Sequence, residues 1–500
     1  MAEIVLRDYQ VAAVEQLREA IRVGKRKLLL SAPTGSGKTE VACYMLQQSL
    51  RKGSKALFIV DRVVLVDQTS ARLDRYGIGH GVLQAGHWRW RPYESLHVCS
   101  AQTLERRGIP ECDVVFIDEA HCQRKKISEC IREAKGVVIG LSATPFTRGL
   151  GQLYEGIVNV TTTDKLIATG HLKPLRYYAA SATIDTKGMK VIAGEWSEAD
   201  IEARGRAILG DIVTGWIEQT RKHFGGPRKT LVFSATVAHG QELAQRFREA
   251  GFDFRQISYL DGDTESRRAI FEEFAKPDST IHGLISCEVL TKGFDVPDVQ
   301  VGISARPYRK SLSSHIQQLG RIMRPFPGHE YGLWLDHAGN VMRFHQDTLE
   351  FFENGINALD DGAHDAKVHQ EPTEKVKAEI RCACGCVLSP KDLVCPTCGA
   401  ERKRRTLVDV APGELQEVGA AFKRNRNSSV DEKAAFFAQL KHYAQSHGYA
   451  SGWASHKYRE RYGVWPNNPA VKNVAPVAPG QEALDYIRSR AIAWAHRKRA

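Results

Sequence analysis

One loop near the beginning of the chain has the residue types and spacing of a phosphate-binding loop. Residues 32–39 read Ala-Pro-Thr-Gly-Ser-Gly-Lys-Thr, after the apolar strand pattern of Leu28–Leu30 and before a helical pattern over 40–50. In this order of strand, loop and helix, backbone N–H groups at the helix N-terminus can bind an anion, and the helix dipole adds to the attraction. The alternative, a glycine-rich turn without function, does not require Gly-Lys-Thr after a strand. The loop therefore predicts a site for nucleotide phosphates.

The side chains of this loop indicate how a nucleotide would be held. Gly35 and Gly37 permit the backbone turn. Lys38 is predicted to reach the β and γ phosphates, and Thr39 to place its hydroxyl on Mg²⁺. Ala32 stands at the first position, where the general pattern has glycine. The loop residues predicted to bind ATP are Pro33, Thr34, Gly35, Ser36, Gly37, Lys38 and Thr39.

A pair of carboxylates follows a second apolar run. Val114–Ile117 is apolar throughout, which is typical of a strand buried on both faces, and residues 118–121 then read Asp-Glu-Ala-His. Ligands of parallel α/β sheets bind at the carboxyl ends of the strands. Asp118 is therefore predicted to hold Mg²⁺ through water, and Glu119 to orient and deprotonate the attacking water. The alternative is a surface Asp-Glu pair at a helix start, which the upstream phosphate loop disfavours.

Taken together, these motifs resemble those of superfamily 2 helicases whose acidic motif is written DEAH. The resemblance covers about residues 4–345. It implies two tandem RecA-like domains, each a parallel sheet flanked by helices, with ATP hydrolysed in the cleft between them. Residues 7–10, Arg-Asp-Tyr-Gln, resemble the segment that contacts adenine, with Arg7 and Gln10 as the implied base contacts.

The same resemblance implies a set of nucleic-acid contacts. Residues 61–68 and 100–104 resemble strand-tracking motifs of the first domain, and residues 142–145, Ser-Ala-Thr-Pro, resemble the motif that couples hydrolysis to movement. Residues 231–236 resemble the strand and turn that open the second domain. The implied nucleic-acid contacts are Arg62, Gln102, Thr103, Thr236, Thr291 and Lys292.

Two motifs of the second block resemble the parts that complete the nucleotide site. Residues 288–297 resemble the motif that contacts both strand and ribose, and residues 317–324, Gln-Gln-Leu-Gly-Arg-Ile-Met-Arg, resemble the last motif. The residues implied to face the nucleotide are Gly293 and Asp295 from the former, and Arg321 and Arg324 from the latter, reaching the γ phosphate. Arginines delivered from a second domain make hydrolysis depend on domain closure, because the transition-state charge is stabilised only when the domains meet.

Within the superfamily, the chain resembles RadD-type bacterial repair helicases and related phage helicases. Residues 144–146, 237–239 and 335–340 carry this narrower resemblance, and residues 452–459 followed by Trp465-Pro466 resemble a C-terminal segment of that group. It implies work in DNA repair, recombination or replication. The implied partner is single-stranded, forked or branched DNA, with single-strand-binding or recombination proteins as further candidates.

Short apolar strand patterns alternate with longer helical patterns over two blocks, which predicts parallel-sheet α/β domains. Clear strand patterns are Ala56–Val60, Val114–Ile117, Val137–Leu141 and Thr230–Ser234. The predicted division is 1–155 for the first domain, 156–204 for a connecting segment, 205–345 for the second domain, 346–380 for a linker, 381–400 for a zinc ribbon and 401–500 for a basic, mostly helical region.

Five of the 11 cysteines fall between Cys382 and Cys398, and this clustering favours a metal site over disulfides. The residues predicted to bind structural Zn²⁺ are Cys382, Cys384, Cys395 and Cys398. Because the first pair has a one-residue gap, Cys386 is an alternative to Cys382 as fourth ligand. A redox pair and reduced free cysteines are the competing interpretations.

The composition narrows the class of protein further. The chain has 500 residues, a net charge of +12 and 26% charged residues, which suits a soluble protein of several domains with a polyanionic partner. Its longest apolar runs are far shorter than the roughly 20 residues of a membrane helix. The sequence begins without a signal-peptide pattern, so the expected location is the cytoplasm, with no membrane contact. The resemblance to bacterial and phage helicases implies a bacterial or phage-infected cell.

One segment interleaves aromatic and basic side chains. Residues 87–93 read His-Trp-Arg-Trp-Arg-Pro-Tyr, a composition that can stack bases and hold a nucleic-acid backbone. The alternative is a strand edge with its tryptophans packed inward. The basic runs 402–405 and 423–426 would bind phosphates or form ordinary solvated surface.

The predicted function is that of a nucleic-acid-dependent ATPase, a superfamily 2 DNA helicase or translocase that requires ATP and Mg²⁺. One alternative is a translocase that remodels double-stranded or branched DNA without separating strands. An RNA helicase is a second, although the sequence shows no added RNA-binding module. A binding adaptor with a decayed motor is disfavoured by the intact motifs, and a nuclease by the lack of a separate carboxylate cluster.

Overall fold

A computed structural model provides the three-dimensional structure of the chain. The residues that it describes are 4–61, 64–84, 86–180, 191–192, 195–196, 208–209, 212–258, 264–287, 296, 298–309, 311–361, 380–381, 387–388, 410–411, 415–418, 428–450, 452–484 and 486–487. Among these residues, no helix combines the length and apolar character needed to cross a membrane.

The first domain is built around a seven-stranded parallel sheet with the strand order β3-β4-β2-β5-β6-β1-β7. Its elements in chain order are α1 (Asp8–Arg22), β1 (Lys27–Ser31), α2 (Lys38–Arg51), β2 (Ala56–Val60), α3 (Val64–Arg75), β3 (Gly81–Val82), β4 (Leu96–Ser100), α4 (Ala101–Arg107), β5 (Val114–Ile117), α5 (Lys125–Glu133), β6 (Val137–Ser142) and β7 (Gly156–Asn159). Strands β1, β2, β5 and β6 are almost wholly buried, because helices cover both faces of the sheet.

The strand order brings the predicted motifs together. Strand β6 lies between β1 and β5, with Leu30 paired to Leu141 and Phe116 to Ile139. All three strands are parallel, so the loops at their carboxyl ends emerge at one edge of the sheet. The phosphate loop, the acidic pair and the Ser-Ala-Thr motif therefore share one site.

The second domain repeats this plan with the strand order β13-β14-β12-β15-β16-β8-β20, in which only the edge strand β20 is antiparallel. Its elements, with the helix that precedes them, are α6 (Thr163–Ala168), β8 (Leu175–Ala180), α7 (Ile212–Phe224), β12 (Thr230–Ser234), α8 (Val237–Glu249), β13 (Phe254–Gln256), α9 (Thr264–Ala275), β14 (Gly283–Ser286), β15 (Val301–Ala305), α10 (Leu312–Ile322), β16 (Gly332–Asp336), α11 (Asn340–Asn354) and β20 (Leu415–Glu417). Two α/β domains are thus present, as the sequence predicts.

Two predicted segments differ from the structure at their edges. The segment 156–204, expected to connect the domains, contributes β7 to the first sheet and β8 to the second. The segment expected as a linker from 346 begins inside α11, whose Phe351 and Phe352 are buried in the core of the second domain. The apolar spacing of Phe344, Phe351 and Phe352 was the available signal for this helix.

A separate helical unit follows near the C-terminal end of the described chain. It consists of α12 (Val430–Ser446), α13 (Trp453–Tyr462) and α14 (Pro469–Lys472), which enclose their own apolar core. The remaining short strand pairs are β9 (Val191–Ile192) with β10 (Glu195–Trp196), β11 (Ile208–Leu209) with β19 (Val410–Ala411), and β17 (Ile380–Arg381) with β18 (Val387–Leu388). The basic runs 402–405 and 423–426 and the five clustered cysteines lie outside the described residues.

The helical unit is attached to α11 of the second domain by polar contacts. Buried Asp347 accepts hydrogen bonds from the backbone N–H of Trp465 at 2.9 Å and from Asn467 Nδ2 at 3.1 Å. Lys433 forms an ion pair with Glu350 at 3.3 Å. These contacts fix the helical unit to the second domain.

Candidate active site

The loop between β1 and α2 has the conformation that a phosphate-binding loop requires. Gly35 and Gly37 have φ angles of 85° and 81°, in the left-handed region that favours glycine. A Cβ atom on Gly37 would meet Gln10 Nε2, so any other residue there would have to displace the buried Gln10 side chain from its hydrogen bonds to the loop. Helix α2 begins at Lys38 without a side-chain cap, so its first N–H groups face the loop, where an anion is favoured.

Two polar side chains of the loop suit a phosphate ligand. Ser36 Oγ is buried and has no hydrogen-bond partner among the described residues. Lys38 Nζ donates to the carbonyl oxygens of Ala32 at 3.1 Å and Pro33 at 3.4 Å. Burial lowers the pKa of Lys38, whereas the carboxylates of Glu119 and Asp118 act in the opposite direction. The ammonium group is therefore held over the loop with the acidic pair close by.

The acidic pair lies at the end of β5, across the site from the phosphate loop. Burial, followed by the charge of Glu119, raises the pKa of Asp118 to about 6, and the Lys38 ammonium opposes the shift. Asp118 Oδ1 accepts a hydrogen bond from the Glu119 backbone N–H at 3.0 Å. Glu119 has a φ of 51°, the only left-handed conformation of a non-glycine residue in the described chain. Strain of this kind is found where a side chain must be aimed for function.

A hydrogen-bond network joins the acidic motif to the second domain. Gln317 Nε2, on α10, donates to Glu119 Oε2 at 3.4 Å and to Thr144 Oγ1 at 3.4 Å, and lies 3.3 Å from His121 Nε2. His121 Nδ1 lies 3.0 Å from Ser142 Oγ and 3.3 Å from Glu119 Oε2. Through these bonds the carboxylate of Glu119 is positioned by both domains.

A second contact between the domains involves two hydroxyl groups. Thr144 Oγ1 and Ser313 Oγ, on opposite sides of the cleft, are 2.5 Å apart. Thr144 belongs to the Ser-Ala-Thr motif, and Ser313 to the first turn of α10. The motif that the sequence links to movement therefore touches the second domain directly.

Helix α10 brings Arg321 to the nucleotide site, and the turn after the helix brings Arg324. Arg321 is buried, and the charges of Arg321 and Arg324 both lower the pKa of Lys38, which places them within electrostatic reach of the phosphate loop. Between the arginines and the loop, the helix approaches so closely that a Cβ on Gly320 would lie 2.6 Å from Thr34 Cβ. The arginines thus face the phosphate loop from the other domain.

The cleft between the domains has a volume of about 530 Å³, within the range of small-molecule sites. The predicted site residues that line it are Arg7, Gln10, Thr34, Gly35, Gly37, Lys38, Thr39, Asp118, Glu119, Arg321 and Arg324. The oxygen donors Thr39 and Asp118 are the kind that Mg²⁺ prefers, so the residues present fit a magnesium nucleotide.

The predicted adenine contacts lie beside the loop. Gln10 Nε2 donates to the carbonyl oxygens of Ser36 at 3.0 Å and Gly37 at 3.3 Å, and its Oε1 accepts from the Arg7 backbone N–H at 2.9 Å. Tyr9 OH also donates to the Ser36 carbonyl, at 3.0 Å. Gln10 is therefore tied to the phosphate loop itself, while the side chain of Arg7 is exposed at the mouth of the cleft.

The predicted nucleic-acid contacts have different surroundings. Gln102 is exposed at the start of α4, and Thr103 Oγ1 lies 3.0 Å from the Ser100 hydroxyl that caps this helix. Thr236 is buried, and its hydroxyl accepts from the His239 backbone N–H at 3.1 Å as the cap of α8. The predicted residues that lie outside the described part of the chain are Arg62, Thr291, Lys292, Gly293 and Asp295.

The aromatic segment 87–93 is on the surface. The exposed fractions of Trp88 and Trp90 are 74% and 46%, so the inward-packed alternative is wrong. Arg89 forms a two-bond ion pair with Asp74 at 2.5 and 2.7 Å, and its guanidinium lies 4.6 Å from the Trp88 ring centre. The segment is therefore a surface loop in which Arg89 is fixed by a residue of its own domain.

Three further residues lie in the site without having been predicted from the sequence: His121, Ser313 and Gln317. His121 and Gln317 lie in the motifs 118–121 and 317–324, in which other residues were predicted to act. Gln317 precedes Arg321 by four residues, which puts both on one face of α10. This spacing was the available signal, whereas nothing in the sequence indicates that Ser313 meets Thr144.

The comparison with protein families agrees with this geometry. Residues 3–147 match the family described as the res subunit of type III restriction enzymes, and residues 215–325 match the helicase conserved C-terminal domain. The first match contains the phosphate loop and the acidic motif, and the second contains α10 with Arg321, together with Arg324 just after the helix.

Two individual proteins are similar to this chain in sequence, and one solved structure is similar to it in fold. The chain is 27% identical over 342 residues to the 51.5 kDa protein of a Lactococcus phage, a match that covers 65% of this chain and 70% of the phage protein. It is also 27% identical over 393 residues to a candidate ATP-dependent helicase, IRC3, of Saccharomyces cerevisiae, covering 71% of this chain but 56% of the yeast protein. In fold, it is similar to a fragment of a candidate HsdR subunit of a type I restriction enzyme from Vibrio vulnificus, with a TM-score of 0.54 at 18% identity, over 71% of this chain and 69% of that one.

Proposed function

Because this chain is a superfamily 2 helicase, and hence an ATP-hydrolysing enzyme, we propose that it is a DNA-stimulated motor that couples ATP turnover to movement along DNA. The DNA would be single-stranded or forked, and the work would belong to DNA repair, recombination or replication. The narrower resemblance to RadD-type helicases supports this role, and so does the net charge of +12. A cytoplasmic location in a bacterial or phage-infected cell fits the same proposal.

The observation that carries the proposal is the contact of Gln317 with both Glu119 and Thr144 across the cleft. Glu119 is the candidate general base, and Thr144 belongs to the motif implied in movement. Any displacement of α10 relative to the first domain changes the surroundings of the base. Hydrolysis is thus sensitive to the position of the second domain, as a motor requires.

In the proposed mechanism, the phosphate loop binds the triphosphate through α2 N–H groups and Lys38. Thr39 and Asp118 would hold Mg²⁺, which neutralises phosphate charge when bound. Glu119 accepts a proton from the attacking water, and Arg321 stabilises the charge that develops on the γ phosphate. Opening of the cleft then releases the products and resets Gln317.

The test is steady-state ATP hydrolysis without nucleic acid and with single-stranded DNA, duplex DNA, forked DNA or RNA. We expect strong stimulation by single-stranded or forked DNA. Glu119→Gln should retain ATP binding and lose turnover, because the amide cannot accept the proton of the attacking water. Equal, low rates under all five conditions would refute a DNA-stimulated motor, and an active Glu119→Gln enzyme would show that another group activates the water.

A second candidate is the same motor acting on duplex or branched DNA without separating the strands. The family match to a restriction-enzyme subunit favours it. Stimulation by duplex DNA, together with displacement of a bound protein but no release of a labelled strand, would distinguish this candidate from a helicase.

The structural Zn²⁺ site of Cys382, Cys384, Cys395 and Cys398 remains part of the proposal, and these residues lie outside the described chain.

A further inference from the structure

The helical unit carries a group of aromatic rings that the motor site does not use. Four side chains form it: Tyr443, His447, Tyr449 and Trp453, which we call the aromatic platform. His447 and Tyr449 are exposed, the latter to 47%, while Tyr443 and Trp453 pack partly against the core of the unit. The platform thus has an anchored inner side and an outer side in solvent.

The rings of the platform are close to parallel. Tyr443 and His447 are 3.9 Å apart between centroids with an interplanar angle of 19°, and Tyr449 and Trp453 are 4.7 Å apart at 9°. Tyr443 is inclined by 18° to Tyr449 and by 25° to Trp453. In contrast, the buried Trp216 meets its three phenylalanine neighbours edge-on, at 78–89°. A parallel arrangement open to solvent is one that a stack of bases can extend.

The local sequence fixes this arrangement before any ligand binds. Helix α12 ends at Ser446 and is capped by His447, and the φ of 67° at the following Gly448 allows the left-handed turn of a Schellman motif. The N–H of Tyr449 donates to the Ala444 carbonyl at 2.9 Å and so returns the Tyr449 ring to the helix end. His447 Nδ1 lies 2.9 Å from the Tyr443 carbonyl oxygen, which orients the imidazole. The backbone of Tyr449 and the imidazole of His447 are thus positioned before binding, which lowers the entropy cost of ordering them.

The charge of the surrounding segment is complementary to a nucleic-acid backbone. Residues 441–465 contain four Lys or Arg and one Glu, a net charge of +3 with neutral histidines. One turn along α13 from Trp453, His456 meets the Trp465 ring edge-on at 5.0 Å, and the Arg459 guanidinium lies 4.7 Å from that ring. In the loop of Trp88, by comparison, Arg89 and His87 are already paired with Asp74 and Asp67. In the helical unit Lys457 and Arg461 are likewise paired, with Glu460 and Glu482, so its exposed, parallel rings are what distinguish it from the loop of Trp88.

From these observations we propose that the aromatic platform is a second binding site for single-stranded DNA, outside the motor cleft, on which bases stack against Tyr449 and His447. The proposal rests on DNA being the track of the motor. Because Asp347 ties the helical unit to α11, a strand held at the platform stays in a fixed position relative to the second domain while the cleft opens and closes. The platform would thus retain the strand between successive ATP turnovers.

The test compares the binding of two labelled oligonucleotides of equal length, oligo(dT) and its abasic analogue, by fluorescence anisotropy. The variant is His447→Ala with Tyr449→Ala, both at exposed positions, so that the core of the unit is unchanged. Base stacking on an aromatic ring contributes about 1–3 kcal/mol per base, so we expect oligo(dT) affinity to fall about tenfold or more. Affinity for the abasic strand, which has the charge but no bases, should not change.

Two matched controls accompany this test. Tyr449→Phe keeps the ring and should bind oligo(dT) like the unaltered protein, and Val477→Ala removes an exposed apolar side chain elsewhere on the unit. Unchanged oligo(dT) affinity in the double variant, or an equal loss for both oligonucleotides, would overturn the platform as a stacking site. Neither outcome affects the proposed motor, which is tested separately by whether DNA stimulates the ATPase of the unaltered chain.

Discussion

The close approach of Gly320 to Thr34 allows a test of domain closure by a single methyl group. In Gly320→Ala, the added Cβ would lie 2.6 Å from Thr34 Cβ and 3.0 Å from Thr34 Cγ2. Carbon atoms pack at about 3.5–4.0 Å, so α10 and the phosphate loop would have to separate by about 1 Å. Thr34 cannot avoid the clash by rotating, because its Cβ is fixed by the backbone.

The expected loss of ATP turnover follows from the two site residues on α10, Arg321 and Gln317. A displacement of about 1 Å at a reacting centre costs on the order of 10²-fold in rate, or about 2.7 kcal/mol of barrier. Because Arg321 and Gln317 move with α10, DNA-stimulated turnover should fall by about that factor. Alanine is also about 1 kcal/mol better than glycine in a helix, so the variant should not unfold. Thermal unfolding and steady-state ATP hydrolysis at saturating DNA measure the two effects separately.

A double-mutant cycle shows whether the cause is the clash. Thr34→Gly removes the three atoms that lie within 3.1 Å of the added methyl group. In the Thr34→Gly background, Gly320→Ala should therefore cost much less than in the unaltered protein. Unchanged turnover in Gly320→Ala, or an equal loss of turnover in both backgrounds, would show that the contact between Gly320 and Thr34 does not limit domain closure.

Three further predictions concern other parts of the chain. The pKa of Asp118 is raised to about 6, and Mg²⁺ requires the ionised carboxylate, so kcat/KM should fall at low Mg²⁺ as the pH drops through this value. Higher Mg²⁺ concentrations should move this fall to lower pH, and a pH profile that does not depend on Mg²⁺ would contradict Asp118 as a magnesium-binding residue. Trp88→Ala with Trp90→Ala should weaken strand binding more than ATP binding, measured by anisotropy with labelled DNA and labelled ATP, and equal strand affinity would exclude the loop as a contact. Elemental analysis should find one zinc per chain, lost on Cys395→Ser and Cys398→Ser; a chain without zinc would contradict the metal site and leave a redox pair or reduced free cysteines.

The sequence by itself determined the elements and the chemistry of the loops. Strands such as Ala56–Val60 and Thr230–Ser234 have the bounds that their sequence pattern predicts, because a strand buried on both faces reads as a nearly continuous run of apolar and β-branched residues. The phosphate loop was readable because glycines, lysine and threonine must occur together for one local conformation. Local conformations of this kind are determined by consecutive residues and can therefore be predicted from the sequence.

The tertiary structure decided how the two domains meet. Three contacts depend on the placement of α10 against the first domain. Gln317 bonds to Glu119, Ser313 meets Thr144, and Gly320 leaves room for the phosphate loop. A polar side chain on a helix has the same sequence signal whether it faces water or a partner domain. Contacts between residues almost 200 positions apart are set by packing of whole domains, and no pattern of neighbouring residues specifies them.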